Sequence, residues 1–337
     1  MNTRRRILGR TGLLVSEIGF GCGPTADLMI NGSARERQRA VQAALDVGID
    51  YFDTAPVYGD GVSEAHLGET LRGLGARPVV ASKVALGTAD VADIYTAVVR
   101  SVESSVERLG MPVTLIQLHN RVGLARAQRA EFGSGALVTV ADVLGPGGVV
   151  DAFESLRERK LVKFFGCSAY GGDMGCVSQL VDSGKFDSII VSYSILNQTA
   201  WTDAGAHPPV RDYGRIQAHA AAAGMGTIAL RVLEAGVLAG ADPMQITTSP
   251  SADRLQMAAQ LPALQELLHK EGVSLAETAI RFALSNPAVA VVLIGFSEVA
   301  QIGEAARLSN LGPLPAGLLG RIERLRLGGF LPVAPAL

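Results

Sequence analysis

Charged side chains are scarce in this chain, and an excess of either sign is missing. Only 18% of the 337 residues are charged, 48% are hydrophobic, and the formal net charge is −2. A composition this apolar supplies a large buried core and argues against disorder. Because nucleic-acid binding draws largely on phosphate neutralisation by clustered Lys and Arg, nucleic acid is excluded as an expected partner.

Cysteine is equally sparse. The three cysteines, Cys22, Cys167 and Cys176, are odd in number and lack the spacing of metal ligands,. Two of them lie in predicted strands, where a small buried thiol is common. We therefore expect no metal site.

An uninterrupted hydrophobic run is missing too. The most apolar window, residues 218–241, is broken by Arg231 and Glu234, so no membrane-spanning helix is predicted. Paired arginines near the N-terminus can mark export, but Arg10 and Glu17 interrupt the apolar stretch that follows and no small-residue cleavage site is present,. We expect a cytoplasmic protein without a membrane partner.

Short β-branched runs alternate with helical patterns from Ser16 onward, which is typical of parallel βα units,. The strands are nearly continuous in apolar residues, as strands covered on both faces are. Eight such strands predict an α/β fold, a closed (β/α)8 TIM barrel, and no domain boundary divides residues 1–337. The predicted strands are 18–22, 49–54, 79–84, 114–118, 164–168, 188–193, 226–231 and 289–295.

Helix signals fill the gaps between these strands. Ser33 is placed to begin a helix, and Ser274 with Glu277 has the spacing of a capping box,. Near the N-terminus, residues 11–15 have the pattern of a turn and the second arm of a hairpin.

Two predicted loops are unusually long: residues 121–148 after the fourth strand and 236–261 after the seventh. Loops of this length often shape a substrate pocket, although a structural insertion or a subunit contact explains them equally well. Three aromatic residues, Tyr170, Trp201 and Tyr213, are placed by loop position to contact substrate, and surface packing accounts for each of them as well.

Four polar residues stand at or just past the ends of three successive predicted strands. They are Asp53, Tyr58, Lys83 and His119. Each alone has a structural explanation, as a helix cap, a solvated rim residue or a hydrogen-bonded core residue. Because the carboxyl ends of barrel strands converge on one mouth, their common position favours a catalytic group.

A proton-transfer role follows from these side-chain types. A free phenol, with a pKa of about 10, is a poor acid at neutral pH. Lys83 is placed to lower the Tyr58 pKa by stabilising the phenolate, and Asp53 to keep Lys83 charged. His119 can hydrogen-bond the carbonyl oxygen that Tyr58 protonates.

Motifs spread over residues 6–310 resemble the aldo-keto reductase superfamily. The most specific is FDTA-x-x-YG-x-G-x-SE, found in GIDYFDTAPVYGDGVSEAHLGETL,. The others are GRTGLLVSEIGFGC, ASKV, LIQLHN, GKFDSIIVSYSILN and ALSNPAVAVVLIGFSEVAQI.

This resemblance implies a catalytic tetrad of Asp53, Tyr58, Lys83 and His119 in a (β/α)8 barrel. In the family an N-terminal hairpin closes the bottom of the barrel, and residues 5–15 fit that hairpin. It also implies a nicotinamide cofactor that lies extended across the barrel mouth, with no Rossmann glycine motif. The cofactor contacts that the family motifs place in this chain are Gly21, Cys22, Ser168, Leu230, Arg231, Leu233, Gly295, Phe296, Ser297, Glu298 and Gln301.

The chain departs from the family pattern around the nicotinamide. Ala169 stands where asparagine is usual, and Ile190 where a glutamine usually binds the carboxamide. The usual aromatic-Ser-Pro-Leu motif of the seventh strand reads Leu230, Arg231, Val232, Leu233, so the stacking ring is missing. We expect the planar Arg231 guanidinium to compensate by packing on a ring, with a buried ion pair to Glu234 as the alternative.

The turn from Gly295 to Glu298 bears on the choice of cofactor. Relatives that prefer NADP usually carry a basic residue there, whereas this turn offers Ser297 and Glu298. A carboxylate favours the free ribose hydroxyls and repels a 2′-phosphate, so NAD(H) is expected; NADP(H) stays open, with Arg231 and Arg307 as phosphate partners. The turn also resembles L-galactose and aldose dehydrogenase-type members.

The leading hypothesis is an oxidoreductase that transfers a hydride reversibly between a nicotinamide and an aldehyde, a ketone or an alcohol. Its partner is a small molecule, and it is expected to be a monomer or a weak homo-oligomer. One alternative is a Schiff-base aldolase that uses Lys83. Another is a regulatory subunit with little turnover, like the channel-associated members of the superfamily.

Overall fold

A computed structural model describes residues 2–127 and 135–330 of the chain. Within those ranges eight parallel strands, β3 to β10, close into a barrel in the order β10-β3-β4-β5-β6-β7-β8-β9, and an antiparallel pair, β1 and β2, stands apart. The strands are β1 Arg5–Ile7, β2 Leu14–Ser16, β3 Ile18–Gly21, β4 Tyr51–Asp53, β5 Val79–Val84, β6 Val113–Leu118, β7 Val162–Ser168, β8 Ser188–Ser192, β9 Gly226–Leu230 and β10 Val289–Gly295.

Helices connect the strands and cover the outside of the barrel. In the described part of the chain the α-helices are α1 Leu28–Asn31, α2 Ala34–Asp46, α3 Val62–Leu74, α4 Ile94–Leu109, α5 Val140–Leu144, α6 Val149–Glu158, α7 Met174–Asp182, α8 Ile216–Ala222, α9 Ser251–Glu271, α10 Leu275–Ser285, α11 Val299–Leu311 and α12 Ala316–Leu327. The predicted (β/α)8 TIM barrel is therefore confirmed.

The predicted strands agree with the structure to within two residues at either end. Strands 79–84 and 289–295 match throughout, whereas 49–54 shortens to Tyr51–Asp53. The first residue of that prediction, Ile49, donates its N–H to the carbonyl of Ala44, 2.9 Å away, and so closes the preceding helix instead. Apolar patterning cannot separate a buried helix end from the strand that follows it at once.

Serine caps begin two of the predicted helices. The Ser33 hydroxyl accepts from the Glu36 N–H while the Glu36 carboxylate accepts from Ser33, a complete capping box,. Ser274 accepts from the Glu277 N–H at 3.2 Å. The Glu277 carboxylate instead pairs with Arg281 at 2.6 Å, so only half of the predicted box forms.

The hairpin formed by β1 and β2 closes the bottom of the barrel. Its turn inserts Leu8, which is fully buried, among the inward-facing residues of the strands, including Tyr51, Leu115 and Ile228. Arg6 fastens it by donating to the carbonyl oxygens of Leu284, Asn286 and Val289 at 2.7 to 2.9 Å. The barrel is therefore packed below and open only at its other end, where the strands finish.

Both long predicted loops contain helix. Helix α5 lies within 121–148, begun by a capping box between Thr139 and Asp142; residues 128–134 of that stretch lie outside the described residues. In 236–261, a 3-10 turn spans Pro243–Gln245 and α9 begins at Ser251, so the predicted end of this loop at residue 261 is wrong. Pro262 stands inside α9 and the apolar residues of the helix are not confined to one face, which hid its first turns.

Residues 2–127 and 135–330 contain neither a candidate membrane span nor a candidate metal site. No helix there is long and apolar enough to cross a membrane, and no group of three or more His, Cys, Asp or Glu side chains there is arranged to hold a metal ion.

Candidate active site

The four residues expected to act together do meet at the open end of the barrel. Asp53 is the last residue of β4, Lys83 lies in β5, and His119 directly follows β6. Tyr58 stands in the turn between β4 and α3. Because β4, β5 and β6 are neighbours in the barrel, their carboxyl ends bring these side chains to one place.

Lys83 is the centre of the group. Its Nζ donates to the Asp53 carboxylate, to the Thr54 carbonyl at 2.8 Å and to the Tyr58 hydroxyl at 3.2 Å. The lysine and aspartate side chains are each only 2% exposed. All three ammonium hydrogens therefore have an acceptor, which fixes the nitrogen against the tyrosine oxygen.

Gln117, in β6, holds the other side of Asp53. Its Nε2 donates to Asp53 Oδ2 at 2.9 Å, and the side chain is fully buried. Gln117 and Lys83 therefore hold the two oxygens of the Asp53 side chain from opposite sides. Sequence reasoning missed this glutamine; its place two residues before His119, in LIQLHN, is the signal that could have found it.

Burial and ion pairing compete at Lys83. Burial alone would lower the pKa of the ammonium, but the Asp53 carboxylate, with a smaller contribution from Tyr58, outweighs it, and the Lys83 pKa is raised. Lys83 is therefore held as an ammonium ion.

Burial wins at Tyr58. It raises the pKa of the phenol above its usual value, and the opposing effect of Lys83 does not compensate, because Asp53 also raises the pKa. The net lowering expected from the sequence is thus wrong in the protein alone. A lysine cannot stabilise the phenolate fully when its own charge is already neutralised by a carboxylate.

His119 is held neutral beside the tyrosine. Burial, and secondarily the charge of Lys83, lower its pKa well below the usual value for histidine. The imidazole meets the Tyr58 ring edge-on, with 6.0 Å between ring centroids and an interplanar angle of 85°. A neutral imidazole can donate one hydrogen bond but carries no readily lost proton at neutral pH.

A cleft leads from this group across the barrel mouth to α11. Its volume is about 580 Å³, and Asp53 and Tyr58 line one end. The family motifs placed eleven residues at the cofactor. Eight of them line the cleft: Gly21, Leu230, Arg231, Leu233, Gly295, Phe296, Ser297 and Gln301.

Three of the expected cofactor residues do not line the cleft. Cys22 is 1% exposed, and burial raises the pKa of its thiol. Ser168 ends β7 and accepts from the Tyr170 N–H at 3.3 Å. Glu298 caps α11, its carboxylate accepting from the Gln301 N–H while the Gln301 side chain returns to Glu298. For Glu298, helix capping competes with any contact to a ribose.

Arg231 makes the ion pair that was the alternative to ring stacking. Its Nε lies 3.3 Å from Glu234, and its other nitrogens donate to Ser249 and, at 3.3 Å, to the Tyr170 hydroxyl. The backbone at Arg231 is left-handed, with φ of 58°, and Glu234 and Ala235 follow it at 47° and 55°. Strain of this kind is kept where the surroundings demand a particular side-chain direction; here it brings Arg231 to the wall of the cleft.

Carboxylates crowd the far end of the cleft. Glu277 and Glu304 both line it. Arg307 pairs with Glu304 at 2.8 Å and lies 3.7 Å from Glu277, with its side chain half exposed. The arginine considered as a phosphate partner is therefore engaged by two carboxylates.

The aromatic residues placed at the substrate by loop position differ in environment. Tyr213 is 3% exposed and belongs to the hydrophobic core, and Trp201 packs against that core. Tyr170, two residues past the end of β7, instead contacts Arg231 and two further arginines. Gly23 was not expected at the site; it lines the cleft, and a Cβ there would lie 3.4 Å from the Tyr58 ring.

Known proteins resemble the chain along most of its length. Residues 17–326 match the sequence profile of the aldo/keto reductase family. The chain is similar to pyridoxal 4-dehydrogenase of Microbacterium luteolum, at 27% identity over 89% of this chain and 91% of that protein. It is similar to L-galactose dehydrogenase of Arabidopsis thaliana, at 26% identity over 91% of this chain and 89% of that protein. The fold matches the solved holo form of aldo-keto reductase AKR11C1 from Bacillus halodurans, with a TM-score of 0.71, 20% identity and 96% of each chain covered.

Proposed function

The chain belongs to the aldo/keto reductase family, and from this premise we propose that it transfers a hydride reversibly between a nicotinamide cofactor and a small carbonyl or alcohol, with Tyr58 as the general acid or base. Membership in the family supports a nicotinamide-dependent oxidoreductase in general. The observation that carries the finer proposal is the contact of Lys83 Nζ with both Asp53 and the Tyr58 hydroxyl.

The direction of the hydrogen bonds selects Tyr58 as the proton donor. Because Lys83 is an ammonium ion, it can only donate to the Tyr58 oxygen, so the phenol hydrogen must point elsewhere,. Tyr58 lines the cleft, and we place its hydroxyl hydrogen on that side. In the reduction direction Tyr58 therefore gives its proton to the substrate oxygen and the resulting phenolate is stabilised by Lys83.

His119 has a different role. As a neutral imidazole beside Tyr58, it serves as a hydrogen-bond donor that orients the substrate oxygen rather than as the acid. Asp53, fixed by Gln117, keeps Lys83 protonated and does not touch the substrate.

The cleft fits a dinucleotide. Its volume lies in the usual range for cofactor sites, and it runs from Tyr58 to the first turn of α11,. Gly23 leaves one face of the Tyr58 ring uncovered where a side chain would lie on it. A bound nicotinamide would supply or accept the hydride there, and we propose Gly21, Leu230, Arg231, Leu233 and residues 295–298 and 301 as its contacts, with Cys22 and Ser168 acting through backbone or after local rearrangement.

We propose a preference for NAD(H) over NADP(H). Glu277, Glu298 and Glu304 all lie at the α11 end of the site, and Arg307 is already paired with two of them. A 2′-phosphate placed among these carboxylates would be repelled, whereas ribose hydroxyls could donate to them. Two relatives are named as dehydrogenases, which supports alcohol or sugar oxidation as the physiological direction.

Replacing Tyr58 tests the proton transfer. Tyr58→Phe removes only the hydroxyl, and general acid-base groups contribute about 10² to 10⁴ in rate. We expect kcat for aldehyde reduction or alcohol oxidation to fall at least about 10²-fold, while the dissociation constant of the cofactor, measured by fluorescence titration, stays the same. Unchanged turnover would remove the tyrosine from the mechanism.

Cofactor titration tests the preference. NADH should bind more tightly than NADPH, and Glu298→Lys should tighten NADPH more than NADH because it replaces a repelling charge by an attracting one. Glu266→Lys, an exposed charge reversal on α9, is the matched control and should alter neither affinity. Tighter binding of NADPH by the unaltered protein would overturn the preference.

The geometry does not favour the aldolase alternative. An imine-forming lysine must lose its proton, whereas Lys83 has a raised pKa and hydrogen bonds to three acceptors,. Borohydride trapping of a substrate adduct on Lys83 would reinstate an aldolase. A regulatory subunit would retain cofactor with negligible turnover, so the kinetic measurements decide that case too.

A further inference from the structure

Three guanidinium groups surround a single tyrosine ring at the barrel mouth. The Cζ atoms of Arg121, Arg211 and Arg231 lie 5.9, 5.8 and 5.7 Å from the ring centroid of Tyr170. The electron-rich ring face attracts each cation, but the three like charges also repel one another. The protein therefore gathers positive charge here at an energetic cost.

These residues come from the carboxyl ends of four neighbouring strands. Arg121 lies two residues past His119 after β6, and Tyr170 two residues past the end of β7. Arg211 belongs to the loop after β8, and Arg231 directly follows β9. The tetrad occupies the ends of β4 to β6, so the arginines form the adjoining part of the same mouth.

The backbone at Gly171 makes room for two of the arginines. Its φ of +108° is accessible mainly to glycine, and a Cβ there would lie 2.9 Å from Arg121 Nε and 3.0 Å from Arg211 Nη1,. The two guanidinium groups thus approach a common point. A group that bridges them would be held by both.

Carboxylates contact this cluster without using all of its donors. Arg211 lies 3.6 Å from Asp253, and Arg231 lies 3.3 Å from Glu234. A guanidinium carries five N–H donors, so Arg211 and Arg231 each keep donors for a further acceptor. Planar forks of this kind match the paired oxygens of a carboxylate or a phosphate.

We propose that Arg121, Arg211 and Arg231 form, around Tyr170, a binding site for an anionic group on the substrate, a carboxylate or a phosphate monoester. The site rests on the proposed function, since its ligand is the substrate whose carbonyl or alcohol reaches Tyr58. Arg231 also lines the cofactor cleft, but Arg121 and Arg211 do not. That division assigns the anion to the substrate rather than to the cofactor.

Matched substrates test the proposal. We compare kcat/KM with NADH for two pairs of substrates, each differing by one anionic group. The first ratio is 4-carboxybenzaldehyde to benzaldehyde, and the second is glyceraldehyde 3-phosphate to glyceraldehyde. We expect at least one ratio to exceed one and to fall about tenfold in both Arg121→Gln and Arg211→Gln, the loss typical of a hydrogen bond to a charged group. Which pair responds distinguishes a carboxylate from a phosphate. Arg157→Gln, which removes an arginine packed 4.6 Å over Phe165 outside the mouth, is the matched control and should leave both ratios unchanged.

Direct binding separates this proposal from the proposed function. Calorimetric titration with benzoate and with glycerol 1-phosphate should show binding that weakens about tenfold in Arg211→Gln but not in Arg157→Gln. If these anions bind in a way that depends on Arg211 but no carbonyl or alcohol is turned over, the proposed oxidoreductase function is refuted and the proposed anion site stands. The anion site would be overturned if the kcat/KM ratios and the anion affinity were the same in the unaltered protein and in both variants. Loss of NADH affinity in Arg211→Gln would overturn it too. Thermal unfolding midpoints confirm that each variant is folded.

Discussion

At the scale of single residues, Lys83 decides how the site works. Its ammonium group donates to three acceptors, one of them the Asp53 carboxylate. These contacts disfavour a nucleophilic lysine and support the proposal that Tyr58 is the proton donor. The raised pKa of Tyr58 fits carbonyl reduction, because the phenol stays protonated through neutral pH. In the proposed oxidation the Tyr58 phenolate would be the base, and it becomes more abundant as pH rises.

The two directions should therefore differ in pH dependence. In the unaltered protein, kcat/KM for reduction should be level through neutral pH and decline only in the alkaline range, whereas kcat/KM for oxidation should rise with pH. Lys83→Met removes the main influence that lowers the Tyr58 pKa, so the oxidation profile should move to higher pH.

The control is Lys163→Met, which removes an exposed lysine 5.1 Å from the Phe164 ring, away from the tetrad, and should leave the profile in place. Breaking a buried ion pair costs about 3 to 5 kcal/mol, so circular dichroism must first show that the Lys83 variant folds. A profile that stays put or moves to lower pH would contradict the role given to Lys83.

At the scale of secondary structure, α3 positions the tyrosine. The helix begins four residues after Tyr58, and its first turn is tied to the barrel because Ser63 donates to the Cys22 carbonyl at 2.9 Å. Glu64 accepts from Ser82 at 2.5 Å and pairs with Arg108 of α4 at 2.6 Å. Farther along, Gly68 packs so closely that a Cβ would lie 2.3 Å from the Leu109 carbonyl oxygen.

Two glycines of α3 should therefore respond oppositely to alanine. Gly68→Ala forces α3 away from α4 and should lower the free energy of unfolding by about 1 to 3 kcal/mol, and kcat should fall because the Tyr58 turn moves with the helix. Gly73→Ala, where a Cβ meets nothing within 4 Å, should raise stability by about 0.5 to 1 kcal/mol through the better helix propensity of alanine. Denaturant unfolding measures both; equal effects would show that the contact with Leu109 is not constraining.

At the scale of the whole molecule, the hairpin and the barrel are joined through one buried charge. The Glu17 side chain is 1% exposed, pairs with Arg6 at 2.6 Å and accepts from Ser309 of α11 at 3.0 Å. Its backbone carbonyl accepts from Val292 of β10 at 2.7 Å. The N-terminal segment, the last strand and the helix beside the cleft thus share a single network.

Removing the partner of that charge should destabilise the entire barrel. Arg6→Met leaves Glu17 buried without its close partner and should cost about 3 to 5 kcal/mol. Arg4→Met changes a half-exposed arginine 3.9 Å from the same carboxylate and should cost at most about 1 kcal/mol. Chemical denaturation that gives both variants the same stability would rule out this network as the fastening of the hairpin.

Much of this architecture follows from the sequence alone. The strands of the barrel, the helix cap at Ser33 and the family to which the chain belongs were all predicted correctly, because apolar periodicity, capping and motif spacing operate over short stretches of chain. The positions of Asp53, Lys83 and His119 at strand ends were predictable for the same reason, since parallel strands of a closed barrel present their carboxyl ends together.

Only the tertiary structure decided the balance of forces at the site. Gln117 reaches Asp53 across 64 positions of sequence, and three arginines from separate loops meet at Tyr170. The sequence shows that Gln117 lies two residues before His119, but not that it contacts Asp53, and the arginine cluster has no local signal. The direction of the Tyr58 pKa depends on how far burial outweighs the charges of Lys83 and Asp53. Such sums depend on distances and on the exclusion of water, which exist only once the strands and loops have packed.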